Sequence, residues 1–243
     1  MLNLTLAMAR KDLSVTLTRS AGLVQALLLG LLLIFMFSLS RKAGDTVSPQ
    51  TAATIFWLAS SFCQVLIFNT LYSYEEGTGA RLALLLVPAP VTGVWLGKGL
   101  AGLILILISQ AVFLPASVVF MDQSIAGGVT EGFLMLFLAD TGLAALGSLL
   151  GALSQGQAAR ESLLSLLIFP LIIPLLLAAI TVFSAFFGEP ASGALSSWLG
   201  FAAAFDAVFL GAGLLLFRFI YSGEDCCLRS TFPGVLSFAP PAP

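Results

Sequence analysis

The chain has 243 residues, of which 59% are hydrophobic and 9% are charged, and its formal net charge at pH 7 is −2. Soluble domains carry about 25% charged residues, so this composition excludes a soluble globular protein and indicates an integral membrane protein. The apolar runs are continuous and do not alternate with polar residues, which excludes a transmembrane β-barrel. We therefore predict an all-α integral membrane protein that is surrounded by lipid and has no nucleic-acid partner.

The chain lacks the residue types that most enzyme and metal sites need. It contains no histidine, which excludes a Ser-His catalytic pair and the zinc-protease helix motif. Its cysteines, Cys63, Cys226 and Cys227, follow neither a metal-site nor a disulfide pattern. Residues 93–99 come nearest to a phosphate-binding loop, but their glycine spacing is wrong and Gly99 replaces the Ser or Thr that would hold magnesium. We predict no catalytic residue, no metal ligand and no ATP hydrolysis by this chain alone.

The first predicted element is residues 1–19, which combine an apolar face with the charged residues Arg10, Lys11 and Asp12. Such a helix lies along the membrane surface ahead of the first span. A cleaved signal peptide is the alternative, but the charged part is long and no small-x-small cleavage site follows it. The apolar face consists of Leu2, Leu6, Ala9, Leu13 and Leu17.

Six apolar stretches follow, and each reaches the roughly 20 residues that a helix needs to cross a hydrocarbon core of about 30 Å. Pro115 predicts a kink in the third stretch. Six spans place both ends of the chain on the same side of the membrane. The predicted spans cover residues 21–39, 52–72, 91–121, 131–153, 162–187 and 195–221.

The distribution of basic residues predicts the orientation of these spans. Eight of the ten Lys and Arg residues lie on the side of the N-terminus, and Arg41 and Lys42 lie on the other side. The loops at 122–131 and 187–196 hold acidic residues and no basic ones. Because cytoplasmic segments are enriched in Lys and Arg, we predict that both termini are cytoplasmic.

Residues 73–90 form an amphiphilic interruption between the second and third spans. The apolar run at 82–87 is far too short to cross a bilayer, and the prolines that follow disfavour further helix. We predict a short helix at the membrane surface, and the alternative is a solvated loop. The segment holds two acids, two glycines, the leucine run and two prolines: Glu75, Glu76, Gly77, Gly79, 82–87, Pro88 and Pro90.

The fifth span carries Pro170 and Pro174, four residues apart. Each proline removes a backbone hydrogen bond for which lipid offers no replacement partner. The pair predicts either a simple kink or a distorted helix beside a substrate path or a moving joint. Residues 183–198 contain glycine and proline and are predicted to form short re-entrant or outer-leaflet helices.

The predicted spans include the ionisable residues Asp140, Asp206 and Lys98. Asp140 and Asp206 could serve a proton relay or a polar cavity, because acids in spans are costly and often functional. The interpretation that we favour is a structural contact inside the bundle, for example with the hydroxyl group of Thr141. We expect Lys98 to be a lipid-facing anchor whose ammonium group reaches the membrane surface.

Residues 222–243 are charged and rich in proline, and they predict a poorly ordered cytoplasmic tail. The Cys226-Cys227 pair could be acylated, although free thiols are the simpler expectation in a reducing cytosol.

Four stretches of the chain together resemble one known protein family. One carries Glu76, Gly79, Leu82, Pro88, Pro90 and Lys98, and another is the proline-spaced run 163–177. The other two are the Thr-Gly-Leu-Ala-Ala-Leu-Gly run at 141–147 and Arg-Lys-Asp-Leu at 10–13. Together they resemble the heme exporter B family, the membrane subunit of the ABC-type complex of cytochrome c maturation, over roughly residues 1–221.

The resemblance implies an ABC-2 type permease over residues 1–221, with six transmembrane helices, an N-terminal interfacial helix and a flexible tail at 222–243. It implies a transporter subunit and not an enzyme, paired with a second copy in the bacterial inner membrane. Its partners would be a separate cytoplasmic ABC ATPase and a heme-handling membrane protein. Heme would be the cargo, and no cofactor would be held firmly.

On this basis residues 75–90 are predicted to be the coupling segment, a helix that docks into a groove of the ATPase. The predicted coupling residues are Glu75, Glu76, Gly79, Leu82, Leu85 and Pro88. The candidate polar or hinge residues inside the membrane are Asp140, Pro170, Pro174 and Asp206.

Other functions stay open. The chain could be a scaffold that transmits ATPase motion to a heme-handling partner without moving a substrate. It could also be an ABC-2 permease for a lipid, a polysaccharide or a drug. An ion channel is the least expected function, because the spans provide no charged pore lining.

Overall fold

The computed structural model describes residues 2–18, 21–41, 45–78, 91–153, 160–189 and 194–222. Over these ranges the chain forms helices and no strands. The helices are α1 (Leu2–Thr18), α2 (Ala21–Leu39), α3 (Pro49–Thr78), α4 (Val91–Phe120), α5 (Val129–Leu153), α6 (Arg160–Phe186) and α7 (Leu195–Ser222). The six helices from α2 to α7 are long and apolar enough to cross a membrane, which confirms the prediction of an all-α protein with six spans.

α3 extends beyond the predicted span 52–72 at both ends, since it covers Pro49–Thr78. It passes through Gly77, because one glycine in a helix costs only about 1 kcal/mol relative to alanine and does not by itself end the helix. Glu75 and Glu76 therefore belong to the end of α3. The prediction that they open a separate surface helix is wrong.

α1 packs against the first half of α4, and only part of the apolar face that the sequence predicts, including Ala9, takes part in this contact. Leu6 and Leu17 of that face are 61% and 50% exposed. The side chains that α1 buries are Met8, Ala9, Asp12 and Thr16.

The glycines of α4 explain which face of α1 is buried. Gly93 and Gly97 have the Gly-x-x-x-Gly spacing that brings helix backbones close together. A Cβ atom on Gly97 would lie 2.7 Å from the Cβ of Met8 and 2.9 Å from the backbone oxygen of Thr5. The side chain of Leu4 lies on Gly93 in the same way, so both glycines make room for α1.

α1 consequently presents three faces. One face packs on α4, the leucine face with Leu6 and Leu17 stays uncovered, and Arg10 and Ser14 are exposed beside it. An uncovered apolar face next to a polar face is the design of a helix that lies along a membrane surface.

α3 and α5 form the centre of the bundle. In the apolar stretch of each of these two helices 72% of the residues are buried, against 22% in α2 and 17% in α7. The ring of Phe68 in α3 fills the space above Gly102 of α4 and Gly147 of α5, where a Cβ atom would not fit. The Phe68 ring thus joins the two central helices to α4.

The start of α3 and the end of α6 meet in an aromatic cluster. The rings of Phe56 and Phe183 stack with their centroids 4.9 Å apart, and Trp57 meets Phe183 edge-on at 5.3 Å. Phe186 and Phe187 continue the cluster from α6 into the following turn. We call these five residues the aromatic end.

The three span prolines do not interrupt their helices. Pro115 lies inside α4, and Pro170 and Pro174 lie inside α6, each of them exposed. The predicted short helices at 183–198 are not found in the described part of that region. Its first residues complete α6, which ends at Phe186, and its last ones begin α7 at Leu195. Residues 190–193 lie outside the described ranges.

Candidate functional site at the base of the coupling segment

The structure describes the ends of α3 and α4 to which the predicted coupling segment is attached. Residues 79–90 lie outside the described ranges, and with them the predicted contacts of Gly79, Leu82, Leu85 and Pro88. Glu75 and Glu76 lie in the end of α3, and their side chains also fall outside the description. The ends of α3 and α4 that flank the segment, however, carry a buried polar cluster.

We call this cluster the segment base, and it joins four helices. Tyr72 comes from α3, Trp95 and Lys98 from α4, Asp12 from α1 and Ser148 from α5. Each of these side chains is buried.

Lys98 is the centre of the segment base. Its side chain has no exposure, its Nζ atom lies 3.6 Å from Oδ2 of Asp12, and it sits 4.6 Å above the centroid of the Tyr72 ring. The carboxylate and the aromatic face both offset the cost of removing an ammonium group from water. The prediction of a lipid-facing anchor is therefore wrong, because Lys98 points to the side of α4 that α1 covers.

Asp12 lies between two ammonium groups. Oδ1 is 3.0 Å from Nζ of Lys11, which is 39% exposed, and Oδ2 faces the buried Lys98. Beside basic residues near the N-terminus, Asp12 looks in the sequence like an ordinary surface charge. Its spacing puts Asp12 on one helical face with Ala9 and Thr16. The glycine spacing of α4 is the signal that such a face can be buried.

Tyr72 connects the cluster to α5. Its hydroxyl group donates a hydrogen bond to the backbone oxygen of Ser148 at 2.7 Å and lies 3.0 Å from the Ser148 hydroxyl. That hydroxyl lies 3.4 Å from the backbone oxygen of Trp95. Gly151 leaves the space for the tyrosine ring, since a Cβ atom there would lie 2.6 Å from it.

Residues 93–99 now have a structural explanation. Gly93 and Gly97 contact α1, and Gly99 faces Ser148 at ordinary packing distance. The glycines that superficially suggest a phosphate loop are helix-packing positions around Lys98.

The intramembrane acid Asp140 belongs to a second polar layer near the middle of α5. Gln110 of α4 donates a hydrogen bond from Nε2 to Oδ1 of Asp140 at 2.8 Å, and both side chains are buried. The suggested contact with Thr141 is wrong, because Thr141 lies about 100° further around the helix and donates to the backbone oxygen of Phe137. Gln64 of α3 donates to the backbone oxygen of Leu143 in the next turn.

Asp206 of α7 lies on the other side of α5. Its carboxyl group packs on Gly142 and is 5% exposed, and neither oxygen atom has a hydrogen-bond partner among the described residues. Because residues 140 and 142 point to opposite sides of a helix, the two acids do not form one site.

A cavity of about 170 Å³ lies between α4, α5 and α7. Its lining is almost entirely apolar, and the hydroxyl group of Thr141 is already bonded to Phe137. Nothing described in this lining could perform acid–base chemistry. Among the described residues there is also no group of three His, Cys, Asp or Glu side chains that could hold a metal ion.

The fold defines a polytopic α-helical membrane protein with an interfacial N-terminal helix. The family model described as CcmB protein matches residues 3–213, so the chain belongs to the CcmB family. It is also similar to heme exporter protein B of Haemophilus influenzae (strain Rd), with 29% identity over 188 residues that cover 74% of this chain and 81% of the relative. The resemblance seen in the sequence is thereby confirmed.

Proposed function

We propose that the chain is the membrane-spanning permease subunit of an ABC-type complex of cytochrome c maturation. ATP hydrolysis by a partner subunit would drive heme export or the release of a heme-loaded chaperone. The observation that carries this proposal is the family match over residues 3–213, which covers nearly all of α1, the first five spans and most of the sixth. The name of the Haemophilus relative, heme exporter protein B, supports heme as the cargo.

The ATPase is a separate chain in this proposal. The sequence has no nucleotide-binding motif, so the motion produced by hydrolysis enters through a surface of this subunit. Residues 75–90 suit that role because they run from the last turn of α3 to the start of α4, and both helices are anchored at the segment base. Leu82 and Leu85 would enter an apolar groove of the ATPase, while Glu75 and Glu76 would select the register against basic groups.

The positive-inside asymmetry supports a cytoplasmic location for this segment and for both termini. We further propose a homodimer in the bacterial inner membrane, working beside a heme-handling membrane protein. Labelling from outside the cell should reach an engineered cysteine at Ser48 and should not reach one at Thr78. The reverse labelling pattern would overturn the orientation.

A second candidate is a scaffold subunit that moves a partner and carries no cargo. The burial of Asp140 against Gln110 inside a single copy favours it, because this polar layer serves helix contacts. Purified complexes in liposomes distinguish the two candidates. Heme that accumulates across the membrane supports export, whereas chaperone release without heme movement supports the scaffold.

Docking itself is tested by co-purification of the ATPase at equal membrane levels of each variant. Leu82→Asp with Leu85→Asp should release the ATPase, because burying one leucine contributes about 1.5–3 kcal/mol. Glu75→Gln is the control and should weaken binding only modestly, since exposed ion pairs contribute about 0–1 kcal/mol. Retention of the ATPase and of its stimulated hydrolysis by the double leucine variant would place docking elsewhere, with the loop around Arg160 as the next candidate.

A further inference from the structure

We propose that α1 is a moving part of the coupling machinery, and that Asp12, Lys98 and Tyr72 are the positioning residues that connect it to the coupling segment. The inference rests on the proposed function, because it takes ATPase motion at residues 75–90 as its input. It goes further in naming the contacts through which that motion reaches α1 and α5.

Both ends of the coupling segment carry a member of this contact. Tyr72 lies six residues before the end of α3 at Thr78, and Lys98 lies seven residues after the start of α4 at Val91. At 1.5 Å per residue, the two side chains are only about 10 Å along their helices from these two helix ends. A displacement of the segment therefore acts directly on the aromatic ring and on the ammonium group that sits 4.6 Å above it.

Helix packing alone does not require a charge at this place. The contact between α1 and α4 is already close at Gly97, and a buried ion pair is often no more stabilising than apolar residues of similar size. Its distinctive property is that it depends on alignment: Lys98 needs Asp12 from α1 and Tyr72 from α3 at the same time. Such a contact resists independent sliding of the three helices.

Asp12 also allows the contact to change without leaving its carboxylate without a cation. Lys11 lies 3.0 Å from Oδ1 on the more exposed side, while Lys98 lies 3.6 Å from Oδ2 on the buried side. Asp12 thus keeps a cation while its contact with Lys98 lengthens, and the close contact at Gly97 makes α1 follow α4. Tyr72 transmits the movement to α5 through Ser148.

The direct test measures whether α1 moves when the complex turns over. One spin label is attached at Ser14→Cys, on the exposed side of α1, and a second at Ser40→Cys, just after α2. Cys226→Ser and Cys227→Ser prevent labelling of the tail in the assembled complex. We expect the distance between the labels to change between the nucleotide-free complex and the complex trapped with ATP and vanadate. An unchanged distance in a complex that hydrolyses ATP would overturn the inference and leave the proposed function intact.

The second test removes the connection and keeps the charge balance. Asp12→Asn with Lys98→Met removes both buried charges, so neither is left without its partner. This double variant should keep the ATPase bound but lose stimulated hydrolysis by about tenfold, a typical coupling between two sites. Normal stimulation in the double variant would contradict the inference.

Two control variants separate positioning from a merely structural role. Arg10→Met removes an exposed charge of the same helix and should leave stimulation near the unchanged value. Asp12→Glu keeps the charge and should restore most of the stimulation that Asp12→Asn loses. Equal losses in Asp12→Glu and Asp12→Asn would count against a role for the ion pair. If the ATPase does not co-purify even with the unchanged chain, the proposed function fails and not this inference alone.

Discussion

The two ends of the helix bundle are held together by different forces. At the aromatic end, Phe56, Trp57 and Phe183 pack through broad apolar surfaces. At the segment base, Lys98 and Asp12 depend on charge and alignment. Apolar burial is non-directional and can be supplied by different neighbours, whereas a buried charge needs an opposite charge at one particular place. We conclude that the aromatic end stabilises the bundle and that the segment base is suited to transmit movement.

The largest effect on stability is expected at the aromatic end. Phe183→Ala removes a ring that is 1% exposed and stacks on Phe56, and should lower the free energy of unfolding by about 3–5 kcal/mol. Steric-trapping measurements of unfolding in bilayer discs would test this value. Phe201→Ala is the matched control, because Phe201 is 43% exposed on α7 and should cost much less. Equal losses in the two variants would contradict the importance of the aromatic end.

A smaller stability effect is expected for the hydroxyl group of Tyr72. Tyr72→Phe keeps the ring above which Lys98 lies and removes the hydrogen bond to Ser148, a loss of about 1 kcal/mol. Stimulated ATP hydrolysis should fall more than protein stability does, because the link to α5 is lost. Ser73→Ala removes a neighbouring hydroxyl that bonds only within α3 and serves as the control. A fall in stability without any change in stimulation would show that Tyr72 is structural only.

The smallest effect is expected at Asp140. Asp140→Asn keeps a carbonyl oxygen that can accept from Gln110, so assembly and most activity should remain, with a change in stability below about 1 kcal/mol. Gln110→Leu removes the donor instead and should cost about 1–3 kcal/mol. Complete loss of function in Asp140→Asn at normal membrane levels would instead support a relay or cargo role for this acid.

Hydropathy alone was sufficient to predict the helical class and the six spans, because each continuous apolar run has only one way to satisfy its backbone in lipid. It could not predict which face of α1 is buried. That choice depends on Gly93 and Gly97, far away in the chain, and leucine spacing within α1 carries no information about them.

The pairing of polar groups was predictable only in part. The cost of burying Asp140 indicated that it needs a partner, but the partner, Gln110, comes from another helix. The burial of Lys98 could not be predicted for the same reason, since its partner Asp12 lies in α1 and is brought near only by helix packing. The coupling residues at 79–90 stay a prediction.

Stimulated ATP hydrolysis in assembled complexes compares the two ends within one experiment. Complexes carrying Asp12→Asn with Lys98→Met, or Phe183→Ala, are prepared at equal protein level and assayed below the unfolding temperature of the weaker variant. We expect the first to bind the ATPase and lose stimulation by about tenfold, and the second to be less stable but normally stimulated. Normal stimulation in the first together with lost stimulation in the second would contradict the assignment of coupling to the segment base.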